Sequence, residues 1–516
     1  MTVEKMVNRI SNLPLQIKSA FYTALFTGIM THGYILTNKF TNADDAWNIR
    51  GYGAGISHGC WLKGIMGPIV SKFCGNYSNP WLTGSLSLLL LAIAACFIVE
   101  ALEIKRVATS MVTAGVMASF PSITSNLLYG YMSAYFSLAI LLVSISVWFL
   151  IRYDKIYLLV LGVFLLSCSM GLYQAYFPFE ASILLIALIK ECLDVKRNTK
   201  EMLFRSLRFF IALVCGIILY FLINSLCLVI FKETMSTHKN LNSMGQIEIT
   251  ALPGIVVQMY RNMVKMLTNG YMGMSSHVSI RILIAVCWLA VLGYSLYRIW
   301  RLKKSGHYGK IALSVFFLLI FPIAINLIDI MCANSPNSIY LLMTYSLCCI
   351  FILPAALLDS SERPSVHWGV LLAGAMTVFY YFNLANTAYI CVDLSQRSVE
   401  AFYTTMITQI KSVDGYAADM EIVFVGEVQD PTLYPLTNEF GGVNIPTVVS
   451  NGSKANYTRE ALLKYYCGFY PAYAEDCGEE NKAQIDAMPC YPDDGSIQIV
   501  GGRVIVKLSE EKNEDR

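Results

Sequence analysis

The 516-residue sequence predicts an α-helical polytopic membrane protein that ends in a small C-terminal α/β domain outside the membrane. Three observations carry that prediction. Hydrophobic residues make up 56% of the chain and charged ones 14%, against roughly 45–50% and about 25% in soluble globular domains. Apolar runs close to the span of a bilayer, about 20 residues, recur from residue 17 to residue 387. Beyond that point charged and polar residues return and short alternating segments replace the long runs. A formal net charge of +3 is too small to indicate a nucleic-acid partner, and the basic residues cluster between apolar runs, where they report topology.

The first run, 17–36, has no small-residue cleavage site behind it and reads as an uncleaved first helix. Spans follow at 81–102, 127–151, 173–189, 209–231, 280–297, 311–331, 339–358 and 368–387. Two further runs, 107–120 and 156–170, have the length of a short span or a re-entrant segment. Counting both gives about eleven spans with the N-terminus cytoplasmic and the C-terminal domain extracytoplasmic. That count keeps the richest basic clusters, at 190–208 and 298–310, on the cytoplasmic side, as the positive-inside rule requires. The membrane module is therefore expected over 1–388, with outer loops at 39–80 and 232–277, and the outer domain over 389–516.

The chemistry is expected in the first outer loop, whose core reads TNADDAWNIRGYGAGISHGCWLKGIMG over 41–67. Asp44 and Asp45 are adjacent carboxylates, Arg50 follows, and Trp47, Tyr52, His58 and Trp61 supply flat faces and hydrogen-bonding tips. Carboxylates beside a membrane need water or a cation. An acidic pair among aromatics suits a pocket that grips a sugar and takes a proton from a hydroxyl. The same pair equally suits the first turn of a short helix.

In the second loop, Gln258, Arg261, Asn262, Lys265, Thr268 and Asn269 recur at helical spacing opposite Ile255, Val256, Met259, Tyr260, Met263, Met266 and Leu267. This predicts an amphipathic helix in the membrane interface, on which Arg261 and Lys265 either meet a lipid phosphate or serve as a plain surface anchor. Polar groups also gather at the outer ends of spans: Ser122, Thr124, Ser125 and Asn126; Tyr173 and Gln174; and Asn326, Asp329, Asn334 and Asn337. Such groups are functional candidates, although bonds between helices account for many of them. Gln174 and Asp329 weigh most.

Most of the fifteen cysteines lie inside apolar runs and read as small buried hydrophobes. None has metal-type spacing, so neither a metal nor another cofactor is expected. Cys60, Cys74, Cys467, Cys477 and Cys490 lie outside those runs and are the ones that an oxidising compartment would pair. In the tail, 421–427 alternates like a strand and 497–508 reads as a hairpin turned at Gly501 and Gly502. Tyr465, Tyr466, Phe469, Tyr470 and Tyr473 suit either sugar stacking or core packing, and Asp493 and Asp494 read as turn residues.

Three fragments, ADDAWNIRGYG at 43–53, FPSITSNLLYGYMSAYF at 120–136 and SMGLYQAYF at 169–177, join the tail ending MPCYPDDGSIQIVGGRVIVKLS at 488–509 in a telling order. Together they resemble the GT-C class of membrane glycosyltransferases, and within it the bacterial serotype-converting O-antigen glucosyltransferases. The resemblance implies a GT-C-like fold in the bacterial inner membrane. It implies a donor of glucose on undecaprenyl phosphate, a lipid-linked glycan acceptor, and transfer with inversion at the outer face. On this reading Asp44 and Asp45 are catalytic, while Arg50, Trp47, His58, Trp61, Lys63, Tyr173, Gln174, Arg261 and Lys265 bind substrate. The family often has Gly-Arg-Trp after its acidic pair. Here the tract is His58-Gly59-Cys60-Trp61, so the arginine's part falls to Arg50 or Lys63 or is missing.

Two other readings share the composition. A carrier of lipid-linked sugars would show internal repeats and charges deep in the spans, and neither is evident. A polysaccharide polymerase or ligase would draw on arginines and histidines in a large outer loop, which here offers His238, His277 and Arg261.

Overall fold

The computed structural model describes residues 4–5, 11–40, 42–53, 55–75, 77–194, 198–237, 248–275, 277–335, 339–426, 456–474 and 478–510. His238, Asn337 and Cys477 lie outside the described residues. In chain order the helices through residue 411 are α1 (Leu15–Thr37), α2 (Ala43–Trp47), α3 (Trp61–Cys74), α4 (Pro80–Ala101), α5 (Val107–Ser119), α6 (Pro121–Leu127), α7 (Ser133–Arg152), α8 (Ile156–Leu172), α9 (Phe177–Cys192), α10 (Thr199–Phe231), α11 (Leu252–Thr268), α12 (Val278–Lys304), α13 (Tyr308–Ile325), α14 (Ile328–Met331), α15 (Cys349–Leu358) and α16 (Pro364–Lys411). Two compact units emerge. Described residues up to 39 and from 51 to 387 form the first, and the described residues of 40–50 and from 388 onward form the second.

The first unit is a helical bundle with the character of a membrane protein. Among the described residues, six helices (α4, α7, α10, α12, α13 and α16) are long and apolar enough to cross a bilayer, or seven if the bent pair α5 and α6 is one span. The expectation of eleven is therefore only partly matched. The helix 15–37 is long, but Gln16, Lys18, Thr23, Thr27 and His32 dilute its apolar character. Helices α8, α9 and α15 have 17, 16 and 10 residues, short of a full crossing. The expected span 311–331 also ends early, at Ile325. Pro322 sits in its last turn, and Asn326 terminates it while donating to the Pro322 carbonyl at 2.8 Å.

Small residues let these helices approach closely, as packing in lipid requires. A side chain at Gly84 would meet Leu36 Cδ2 at 2.3 Å. At the end of the bundle away from the first loop, helix C-termini converge and cations satisfy their terminal carbonyls. Lys190 Nζ donates to Leu102 O at 2.6 Å and Glu103 O at 3.1 Å. Arg205 reaches Ile151 O at 2.5 Å, Arg208 reaches Leu150 O at 3.0 Å, and Arg298 reaches Leu193 O at 2.8 Å. The clusters that suggest topology in the sequence thus also cap α4, α7 and α9. At the same end Asp359 accepts from the Lys105 and Arg106 amides, at 3.0 and 2.9 Å, and from Thr109 Oγ1 at 2.5 Å, and so caps the start of α5 from 250 residues away.

The second unit has the small sheet that the tail predicts. Strands β1 (Ile422–Val425), β2 (Ile497–Val500) and β3 (Arg503–Lys507) run in the order β1-β3-β2, with β1 parallel and β2 antiparallel to the central β3. Gly501 and Gly502 turn the hairpin with φ of 58° and 77°, a backbone open chiefly to glycine. Period-two alternation sends Val504 and Val506 into a core with Phe402, Tyr403, Met406, Ile422 and Leu462, and Ile505 into the opposite core with Val423, Ile485 and Met488. Phe469 belongs to the first core, with Tyr466 and Tyr473 packed against it, whereas Tyr470 stands 68% exposed beneath Lys464. Ala46 is buried in that same core. This burial is why the expected outer loop 39–80 divides, its acidic stretch joining the sheet unit and the remainder joining the bundle. Helix α16 runs unbroken through residue 388, so the composition change falls inside a helix and not at a linker.

Candidate active site

The acidic pair occupies the first turn of α2. Asn42, not an aspartate, caps that helix, its side chain accepting from the Asp45 amide at 2.9 Å. The cap rotates the two carboxylates into different surroundings: Asp44 is exposed, whereas Asp45 is fully buried. Trp47 is 58% exposed and Arg50 is exposed. One turn of helix therefore holds an accessible carboxylate, a sequestered carboxylate and an open aromatic face within six residues of a guanidinium.

In the bundle unit, residues 51–75 form a loop and the helix α3, pinned from below by a polar network. Gln174 Nε2 lies 3.0 Å from both His58 O and Tyr220 Oη, Tyr220 donates to Gly59 O at 3.0 Å, and the Cys60 thiol lies 3.9 Å from Gln174 Oε1. The amide of Gln174 is thus spent on holding the loop. Tyr173 beside it stacks edge-on with Phe136 and Tyr176, at 4.8 and 5.5 Å between ring centroids. Trp61 is buried against Gly171, where any side chain would meet the indole at 2.4 Å. His58 is half-buried beside Ser57. The Ser57 amide donates to Glu233 at 2.9 Å and its carbonyl accepts from the Ser236 amide at 2.8 Å, so the two expected outer loops meet here.

Lys63 is the unusual member. It is 2% exposed, its ammonium is bonded to Met132 Sδ at 3.4 Å, and no ion pair joins it among the described residues. Burial pushes the Lys63 ammonium below its usual range, with Cys60 acting weakly the other way. Among the described residues no group of three or more metal-ligating side chains occurs, and Cys60, Cys74, Cys467 and Cys490 are free thiols. Tyr220, which completes the network under the loop, carries no sequence signal beyond being a tyrosine inside an apolar run.

The amphipathic helix forms as α11, with Met259, Met263 and Met266 of the expected apolar side on its buried face and Asn262 drawn onto that face from the polar side. A long-range bond explains the inward Asn262: its amide donates to Asp329 Oδ2 at 2.9 Å and accepts from Gln258 at 2.7 Å, and Gln258 in turn accepts from Arg261 at 3.2 Å. Asp329 lies beyond the end of α13. Burial pushes its carboxyl up from 3.8 to about 6, against opposing pulls from the Asn262 bond and the Lys265 charge. A carboxyl raised on folding favours the folded contact in its protonated form. The benefit is complete below about 3.8 and fades as pH rises through about 6. Hydrogen exchange of the 252–268 amides, corrected for intrinsic rates, is therefore expected to show firmer protection at pH 5 than at pH 8. Asp329→Asn is expected to flatten that difference; an undiminished difference in the variant would assign it to another group.

The family comparison supplies the class, a glycosyltransferase: residues 33–409 match the model for glucosyl transferase GtrII, and the chain belongs to that family. The match runs from the first helix through the acidic loop and almost to the end of α16, leaving the sheet outside it. No curated protein and no solved structure gives a significant match.

Proposed function

We propose that this glucosyltransferase moves glucose from a polyprenyl-phosphate donor to a lipid-linked cell-surface glycan such as O-antigen, at the outer face of the bacterial inner membrane, with inversion at the anomeric carbon. The observation that carries the reading is the split environment of the acidic pair. Asp44, in contact with solvent, takes the proton from the acceptor hydroxyl as it attacks opposite the phosphate. Asp45, sequestered on the same turn, fixes the turn that presents Asp44. The leaving group carries a single phosphate, which a cation neutralises without an obligatory metal. Lys63 suits that part best, as a buried ammonium bonded to a thioether, and Arg50, Arg261 and Lys265 are the exposed or half-buried alternatives. The eleven-span topology, GT-C architecture and outer C-terminal domain belong to the same proposal, supported by the positions of the basic clusters.

The test is donor choice. Purified protein is incubated with polyprenyl-phosphate glucose or with a nucleotide-linked glucose, each with a panel of lipid-linked acceptors, and free polyprenyl phosphate is followed. Acceptor-dependent release from the lipid donor alone is the expected result. Turnover of the nucleotide donor would refute the lipid-donor reading. Passage of the lipid-linked sugar across a vesicle membrane without release would make the chain a carrier.

A further inference from the structure

A groove of about 310 Å³ lies in the bundle unit between α5, α12, α15 and α16. Its lining is almost wholly hydrocarbon, with Val112, Phe351 and Leu358 among its walls, and it contains no charged residue. Thr377 is its one hydroxyl, and that hydroxyl is turned back onto its own helix, donating to Ala373 O at 2.9 Å. Small side chains keep the groove open. Ala290 and Ala373 line it, and a side chain at Gly369 would begin in open space.

This is not a packing gap sealed inside protein. Val286 in its wall is 51% exposed, and neighbouring side chains of the same helices, Leu289, Trp368 and Leu372, are 67%, 71% and 64% exposed. Both α12 and α16 qualify as membrane crossings, and only 22% and 28% of their apolar windows are buried inside the protein. What lies against them is therefore the hydrocarbon of the bilayer. A void beside hydrocarbon forfeits dispersion contacts until a chain enters it.

The groove also has a polarity. One end reaches Leu358 and Val366, which flank the turn 359–363. There the Tyr294 and Ser360 hydroxyls meet at 2.8 Å and Arg363 is exposed, beside Glu362 of the same turn, while Arg298 is held by Leu193 O at 2.8 Å and Asp194 at 3.4 Å. Arg301, Lys303 and Lys304 follow in the last turn of α12. An apolar channel that opens at a belt of cations matches an anionic amphiphile, phosphate at the belt and hydrocarbon inside.

We propose that this groove seats one acyl chain of an anionic glycerophospholipid, with the lipid phosphate at the end that carries Arg363 and the last turn of α12. The site is at the end of the bundle away from the first loop, and the proposal does not depend on the transfer reaction. Its occupant steadies the packing of α12 against α15 and α16 by filling the space those helices leave.

The full-length protein, reconstituted in bilayer discs containing a phosphatidylglycerol with a photoactivatable group midway along one acyl chain, provides the test. After irradiation, adducts on the 286–290 and 366–377 peptides are expected to saturate as the probe fraction rises, whereas adducts along 199–231 rise in proportion. Filling the groove with Ala290→Leu and Gly369→Leu is expected to reduce the groove adducts at least fivefold and leave those on 199–231 unchanged. Proportional labelling of the groove in the parent protein, a measurement that needs no variant to fold, would overturn the proposal. So would undiminished labelling in the filled variant. An unlabelled groove whose filling converts a dimer to a monomer would give the space to a second copy of the chain and equally refute it.

Discussion

Asp44→Asn is expected to lower glucosyl transfer by roughly 10²–10⁴-fold, the usual contribution of a positioned general base, while leaving thermal unfolding in detergent unchanged. Asp44 is exposed, and the turn it sits on is capped by the Asn42 side chain on the Asp45 amide, so the substitution removes a charge without removing that cap. Asp45→Asn is expected to behave differently. Asp45 is fully buried beside Ala46, which is itself part of the core of the sheet unit. Replacing a buried carboxylate that has partners leaves those partners uncompensated, so this variant is expected to lose both transfer and stability. The discriminating measurement pairs polyprenyl-phosphate release with an unfolding curve for each variant. Normal turnover in both would remove the acidic pair from the chemistry altogether. Lost activity confined to Asp45→Asn, with a matching loss of stability, would reduce the pair to a structural turn.

The helical character, the hairpin and the acidic loop could be read from residues because each rests on a local signal. Apolar runs, a glycine pair between alternating residues and adjacent carboxylates are all visible within a dozen positions. The number of crossings was less accessible, since it depends on where helices stop. Asn326 ends α13 by folding back on Pro322, and composition alone does not distinguish that stop from a continuing span. One residue of α11, Asn262, departs from its expected side for a related reason. Asn262 counts as polar in any periodicity, yet a partner 67 residues away, Asp329, makes the buried side its better position. The roles of Gln174 and Tyr220 were hidden in the same way. Both are defined by carbonyls at 58 and 59, more than a hundred residues distant. Long-range hydrogen bonds decide which candidate residues face a substrate and which hold the ones that do.

Those carbonyls make Gly59→Ala a strongly damaging substitution in the bundle unit. Gly59 has φ of +74°, and a Cβ there would stand 2.5 Å from both Gln174 Nε2 and Tyr220 Oη. The left-handed backbone costs an alanine about 1–2 kcal/mol. The collision adds the loss of donors that now serve the His58 and Gly59 carbonyls, about 1–3 kcal/mol for buried groups left unsatisfied. A total of roughly 2–5 kcal/mol is expected from unfolding measurements, together with a steep fall in transfer, because the loop it distorts carries His58, Trp61 and Lys63. Tyr220→Phe alone removes one of the two colliding atoms and both hydrogen bonds of the hydroxyl, from Gln174 and to Gly59 O, and is expected to cost less, about 1–3 kcal/mol. In the double variant part of the collision is gone, so the two losses are expected to sum to less than their separate values. Additive losses would mean that Gly59 and Tyr220 do not share a contact, and a Gly59→Ala protein as stable as its parent would remove the network's claim to brace the loop.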